Sequence, residues 1–202
     1  GRPGDVLLAV QPRSTGLAER LWWGSGTRET AIWAGTQGYH LMSSTLLLED
    51  TGTSFAELQA EQIQGFRDAW AAAGHAGEPR VSVSRSIQPI TSDLDRQLFG
   101  DPDGADKAGW TDLDRRLLSP DANRDTVGWL DDGLSRFGRT YTGAPDVIAE
   151  ELAQDVAVQA ADTLLLTVPN QLGVDYNAAA LETIALHVAP AIGWRPHAAA
   201  GT

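Results

Sequence analysis

The sequence predicts an α/β protein built on parallel strands, and three observations carry that expectation. Short apolar runs alternate along the chain with longer segments whose apolar residues recur at helical spacing. Glycines and prolines mark the joins between them. Strands that alternate with helices return to their sheet in the same direction, because the helix carries the chain back to the end where the last strand began. The 202 residues are enough for one domain with a sizeable core, and residues 1–202 read as a single domain with 91–143 as an insertion inside it.

Taken in order, Val6-Leu7-Leu8-Ala9-Val10 reads as a short strand closed by Pro12, and Leu21–Gly24 as a compact apolar strand. Thr27 to about Gly35 is expected as a helix with Ser25 or Thr27 as its N-cap. Gly38 then breaks the chain ahead of a strand over Tyr39–Ser44. Phe55 to Ala73 is the clearest helix: Phe55, Leu58, Ile63, Phe66 and Trp70 recur at helical spacing and Gly74 ends it. Val81–Ile87 alternates apolar and polar residues, the pattern of a strand with unlike faces. The polar stretch 91–143 carries Pro102 and Pro120 and is expected to hold short helical pieces around Asp93–Phe99 and Trp110–Leu118. Pro145 to about Val158 reads as one helix, Thr163–Val168 as a buried strand, and Ala178–His187 as the last helix.

Composition narrows the function classes. A net charge of -12 argues against a nucleic-acid partner, whose phosphates attract a basic surface. No apolar run approaches the ~20 residues that span a bilayer, and no basic-then-apolar leader opens the chain, so no membrane role is expected and a cytoplasmic location fits. There is no cysteine, which removes disulfides, thiolate metal sites and a Cys nucleophile. Lys107 is the only lysine and stands in a polar, loop-like stretch, a poor setting for Schiff-base chemistry. The dinucleotide, P-loop, zincin and nucleophile-elbow patterns are all absent. His40, His75, His187 and His197 lack metal-like spacing, so no metal is expected; His40 alone lies near a candidate pocket, and no catalytic acid or base is assigned.

The chemistry-bearing segment is Trp22-Trp23-Gly24-Ser25-Gly26-Thr27-Arg28. A strand that gives way to small residues and then a helix presents unpaired amides and hydroxyls at the positive end of the helix dipole, a natural place for a phosphate. Arg28 can add a charge-assisted bond. Read from residues alone, the same segment is also an ordinary strand-to-helix turn with a hydroxyl cap. A carboxylate in place of Ser25 is expected to repel a phosphate while leaving the fold intact. Ser43, Ser44 and Thr45 end a strand, where their hydroxyls either reach a ligand or build a turn. Arg85 interrupts small and apolar strand residues, and its guanidinium needs either a phosphate or a carboxylate from a neighbouring strand. Asn170 and Gln171, just past the last strand, read chiefly as turn residues, and Trp22 and Trp23 as packing on opposite faces of one strand.

Arg20–Thr27, Leu41–Thr45, Pro79–Ser86, Phe137–Pro145, Asp155 and Thr163–Gly173, in that order, resemble successive strand ends of the luciferase-like flavin-dependent oxidoreductases. The resemblance runs from about Arg20 to Trp194. It implies a (β/α)8 TIM-barrel type of which this chain holds the C-terminal half, strands five to eight, with an insertion after strand seven. It also implies an oxidoreductase or monooxygenase that uses reduced FMN or F420 on a small-molecule substrate. The cofactor phosphate would sit at Gly24, Ser25, Gly26 and Thr27, with Arg28, Ser43, Ser44 and Arg85 as further cofactor-binding candidates. A half-barrel leaves two sheet edges open, so a homo-oligomer, or pairing with a chain that supplies the N-terminal half, is expected. The alternative is a non-catalytic half-barrel that binds a phosphorylated ligand or assembles with a partner chain.

Overall fold

A computed structural model describes residues 14–49, 51–99, 126–130 and 133–195. A single helical turn, Ala18–Arg20, leads into β1 (Trp22–Ser25), α1 (Arg28–Gln37), β2 (His40–Ser43), β3 (Leu46–Leu47) and α2 (Phe55–Ala73). Then come β4 (Val81–Pro89), α3 (Asp93–Phe99), β5 (Thr126–Leu130), β6 (Gly133–Phe137) and β7 (Thr140–Gly143). The chain continues through α4 (Pro145–Gln154), α5 (Val156–Ala160), β8 (Thr163–Thr167) and α6 (Gly173–Thr183), and then a π-helical turn (Ile184–Val188) and a 3-10 turn (Ala189–Ile192).

The main sheet is parallel throughout, as the strand-helix alternation predicts. Its order is β1-β2-β4, and β4 shares its far edge between two strands. β8 pairs with Ser82–Ser86 and β7 with Ser86–Pro89, so Ser86 stands opposite both Thr167 and Thr140. A second, antiparallel sheet runs β3-β6-β5.

Local chemistry sets the helix ends. Thr27 caps α1, its hydroxyl accepting from Thr30 N at 3.1 Å. Ser54 and Glu57 form a reciprocal capping box at the start of α2. α1 and α2 cross at Gly35, where an added Cβ would lie 2.5 Å from the Phe66 carbonyl oxygen, so only glycine permits that approach. The core forms where alternate residues of the strands, Leu41, Val81, Val83 and Ile87, meet Ile63 and Phe66 of α2 and Ile148 and Leu152 of α4. The same alternation turns Arg85 toward the helices, into the heart of the interior.

There Arg85 meets Asp155 in a bidentate pair, Nε to Oδ2 at 2.7 Å and NH2 to Oδ1 at 2.9 Å. The Tyr141 hydroxyl donates to Oδ2 at 2.6 Å, and the Ala157 and Val158 amides to Oδ1 at 3.0 Å each. Burial pushes the Asp155 carboxyl up; the hydrogen bonds and charge of Arg85, with the Tyr141 hydroxyl and the Val158 amide, outweigh it and hold it below the ordinary aspartate value. Tyr141 is pushed up by burial and by its bond to that carboxylate, so its hydroxyl keeps its proton.

The structure corrects the element reading in several places. The helix expected over Pro145–Val158 is two, because Asp155 turns extended and caps α5 with its side chain. The last helix begins at Gly173 rather than Ala178. β7, inside 91–143, belongs to the parallel sheet, and the antiparallel sheet was not foreseen. The expected strand over Val6–Val10 and helix over Trp110–Leu118 lie outside the described residues. Among the described residues no helix is long and apolar enough to cross a membrane.

Two outcomes follow for stability. Gly35→Ala is expected to cost about 1–3 kcal/mol in a urea melt, whereas Gly24→Ala, whose Cβ would meet nothing within 4 Å, should be nearly silent; equal melts would refute the close-crossing account. Tyr141→Phe removes one donor to a buried carboxylate and should cost about 1.5–3 kcal/mol at neutral pH. Asp155 titrates lower in the folded than in the unfolded chain, so its contribution is present above the unfolded value and lost as pH falls through the folded one. Tyr141→Phe should therefore move the acid limb of the stability curve to higher pH, and an unmoved limb would refute the role given to that hydroxyl.

Candidate functional site

β1 ends at Ser25, and the chain turns through Gly26 and Thr27 into α1 at the carboxyl end of the parallel sheet. The first turn of α1 exposes amides that no helical carbonyl can reach. Thr30 N is taken by the Thr27 hydroxyl. Arg28 N points instead at Glu49, donating to Oε1 at 3.3 Å, while Arg28 Nε donates to Oε2 of the same carboxylate at 3.0 Å. A second arm of the guanidinium reaches Glu61 at 3.0 Å. The place where the sequence predicts a bound anion thus holds an anion, supplied by the chain itself. Both ion pairs of Arg28 are partly open to solvent.

Gly26 makes this contact possible. Its carbonyl accepts from Leu48 N at 2.9 Å, and a Cβ there would crowd the Leu46 carbonyl at 3.3 Å, so the segment carrying Glu49 lies directly across the turn. Gly24 is different: the space beside it is open, and no steric need for glycine is visible there.

Four more candidates come together, but three of them turn toward the helices. The Ser25 hydroxyl is buried, donates to the Thr27 carbonyl at 2.8 Å and receives Gln62 Nε2 at 3.4 Å. Buried Ser43 donates to Gln62 Oε1 and accepts from Gln59 Nε2 at 2.9 Å. Gln59 Oε1 then accepts from Arg85 NH1 at 2.8 Å. The result is one buried polar chain from Ser25 through Gln62, Ser43, Gln59 and Arg85 to Asp155. Of the two partners open to Arg85 from sequence, phosphate or carboxylate, it has the carboxylate. Ser44 is half-buried; its hydroxyl accepts from Leu46 N at 3.2 Å and so builds a turn. Period-two alternation explains the group: Ser43 and Arg85 fall in step with the core residues Leu41, Val83 and Ile87. A carboxylate at Ser25 would therefore be buried against a carbonyl and unsettle the fold, contrary to the sequence-based expectation.

Gln59, Gln62 and Glu49 were not singled out from sequence. The two glutamines were visible as polar residues inside the apolar stripe of α2. Glu49 has no local signal, since 21 residues separate it from Arg28.

Elsewhere at the carboxyl end, Asp95 ties the exit of β4 to α6. It accepts from Thr91 N and Ser92 N at 2.8 Å and from the Tyr176 hydroxyl at 2.6 Å. Burial raises its carboxyl, but these donors outweigh burial and hold it below the ordinary value. Asn170 and Gln171 sit in a single 3-10 turn after β8. His40 stands at the opposite end of β2, accepting from Arg80 N at 3.2 Å and packed between Trp22 and Trp70. Among the described residues no group of three acidic, His or Cys side chains is placed to hold a metal. An apolar cleft of about 460 Å3 lies beside β8, lined by Leu164, Leu166, Leu181, Ile184, Val188 and Trp194. Asp162 is its one charged lining residue, so it lacks the convergent polar groups of a catalytic pocket.

No family model and no curated protein matches the sequence. Among solved structures the chain is similar to apo-MsnO8, with a TM-score of 0.55 and 15% identity, over 95% of this chain and 56% of that one. It is also similar to the oxygenating constituent of 3,6-diketocamphane monooxygenase, a type II Baeyer-Villiger monooxygenase from the CAM plasmid of Pseudomonas putida solved with FMN; there the TM-score is 0.49 and the identity 17%, over 85% of this chain and 48% of that one. The chain spans about half the length of the structures it matches, and over that span it shares the α/β fold of MsnO8.

Proposed function

We propose that this chain is the cofactor-anchoring part of a luciferase-like flavin-dependent oxidoreductase, holding reduced FMN or F420 by its phosphate at the Gly24–Thr27 turn. The observation that carries the reading is the Glu49 carboxylate on Arg28: the helix start, its amide and its guanidinium already hold an anion. The fold shared with MsnO8 supports it, and in this reading β1, β2, β4 and β8 are strands five to eight of a (β/α)8 barrel, and 91–143 is an insertion whose β7 adds to the same sheet. Gly26 lets a backbone approach closely, Arg28 supplies the positive charge, and Ser25 and Ser43 at the ends of β1 and β2 are tied through Gln62 and Gln59 to Arg85 in the middle of β4. When bound, the cofactor supplies hydride transfer or oxygenation of a small-molecule substrate. The chain's own part is to fix the phosphate and to exchange one anion for another.

A second reading is a half-barrel that binds a phosphorylated ligand, or assembles with another chain, without turnover. Two features favour it: the unpaired edges of β1 and β8 among the described residues, and the match to little more than half of MsnO8. Oxygen consumption with FMN and a reductant separates the two, since binding without turnover supports the second.

The phosphate assignment is tested by titrating FMN against riboflavin, which lacks the phosphate. FMN is expected to bind about tenfold or more tightly, and Arg28→Ala should remove that advantage. Glu49→Gln deletes the competing carboxylate and should tighten FMN but leave riboflavin unchanged. Equal affinity for the two flavins, or a Glu49→Gln variant that binds FMN as the parent does, would overturn the assignment.

A further inference from the structure

We propose that Arg85, Gln59, Ser43, Gln62 and Ser25 form a one-way chain of hydrogen bonds that holds the Arg28 amide on its anion, which makes the two buried glutamines positioning residues for the candidate site. The action on Glu49 stands by itself; its extension to a cofactor phosphate rests on the reading above.

A guanidinium has donors and no acceptor, so Arg85 sets the direction of every bond that follows. Its NH1 donates to Gln59 Oε1 at 2.8 Å. That turns the Gln59 amide nitrogen the other way, toward Ser43 Oγ at 2.9 Å and the Ser44 carbonyl at 2.8 Å. Ser43, having accepted, donates its one proton to Gln62 Oε1. Gln62 Nε2 then faces the Ser25 hydroxyl at 3.4 Å, the longest link, and Ser25 donates to the Thr27 carbonyl at 2.8 Å. Turning the Gln59 amide over would set its NH2 against the guanidinium. Turning Gln62 over would leave the Ser43 proton without that acceptor. All five side chains are buried, so water does not compete for these bonds.

The last acceptor of the chain and the donor to the anion belong to one peptide unit. The Thr27 carbonyl and the Arg28 N–H point in opposite directions across a planar trans peptide, so fixing the oxygen aims the N–H. That oxygen takes two donors, the Ser25 hydroxyl and the Ala31 amide at 3.1 Å, while the N–H reaches Glu49 Oε1 at 3.3 Å. Donors on a peptide oxygen polarise the unit and strengthen its N–H, and bonds aligned head to tail reinforce one another where screening is weak. Asp155 balances the charge of Arg85 at its other arm, so what the chain carries is orientation. Burial alone requires that each polar group have a partner. It does not require that all of them run one way, from a cation to the peptide that holds an anion.

The test reads the Arg28 amide of the 202-residue chain, without ligand, by nitrogen–proton correlation NMR and hydrogen exchange. Gln59→Glu reverses the chain from a distance. The new carboxylate, kept ionised by Arg85, can only accept, so Ser43 turns its proton to it, the Gln62 amide turns over and the Ser25 hydroxyl leaves the Thr27 carbonyl. Ser43→Ala removes the middle link at little change of volume and decides the matter should Gln59→Glu fail to fold by circular dichroism. In each folded variant the Arg28 amide proton should move upfield and exchange about fivefold faster, and the preference for FMN over riboflavin should fall by a similar factor. Tyr141→Phe costs stability but cuts no link, and should leave both readings as in the parent. An Arg28 amide unmoved in the folded variants, or moved equally in Tyr141→Phe, overturns the chain whatever FMN does. A parent that binds FMN and riboflavin alike, with an amide that responds as expected, refutes the phosphate reading and upholds the chain.

Discussion

Asp155 collects five hydrogen bonds in a place that water hardly reaches. Two come from Arg85 on β4, one from Tyr141 on β7 and two from the first turn of α5. Through Arg85 and Gln59 the same connection extends to α2, and through Ser43 and Gln62 to the ends of β2 and β1. A buried ion pair of this kind adds little net stability over an apolar replacement, yet becomes costly once one partner is lost. What it adds is register: a guanidinium meets a carboxylate with two bonds in one orientation only. The helix layer and the strand ends under the candidate site are aligned through that single geometry.

Much of this was legible in the residues. The strand-helix alternation, the cap at Thr27, the apolar stripe of α2 and the direction of strand pairing all follow from local patterns, and the structure has them. The antiparallel sheet was missed for two reasons. β3 is two residues long, below any periodicity, and β5 and β6 lie within a polar stretch whose composition reads as an insertion. The break at Asp155 was missed because helical spacing runs through it; only the competing side-chain cap reveals it.

The candidate site divides along the same line. That Gly26, Thr27 and Arg28 form an anion-friendly helix start was readable from three neighbouring residues. That Glu49 already sits there was not, because contacts between distant segments are made by tertiary folding and leave no mark in spacing. The direction of Ser43 and Arg85 was readable in principle, since both share the parity of the apolar strand residues. Any anion proposed for this turn would have to displace a tethered carboxylate that has no translational entropy to lose.

Every cation in the ion pairs of the described residues is an arginine: Arg28, Arg85, Arg96 and Arg139. A lysine would shed its proton in strongly basic solution and release its partner, whereas a guanidinium stays charged wherever a protein survives. Tyr141, held protonated by its surroundings, does not disturb the pair beside it either. The electrostatic frame of this fold is therefore lopsided. Among the described residues it loosens from the carboxylate side in acid, and its ion pairs there have no lysine to lose in alkali.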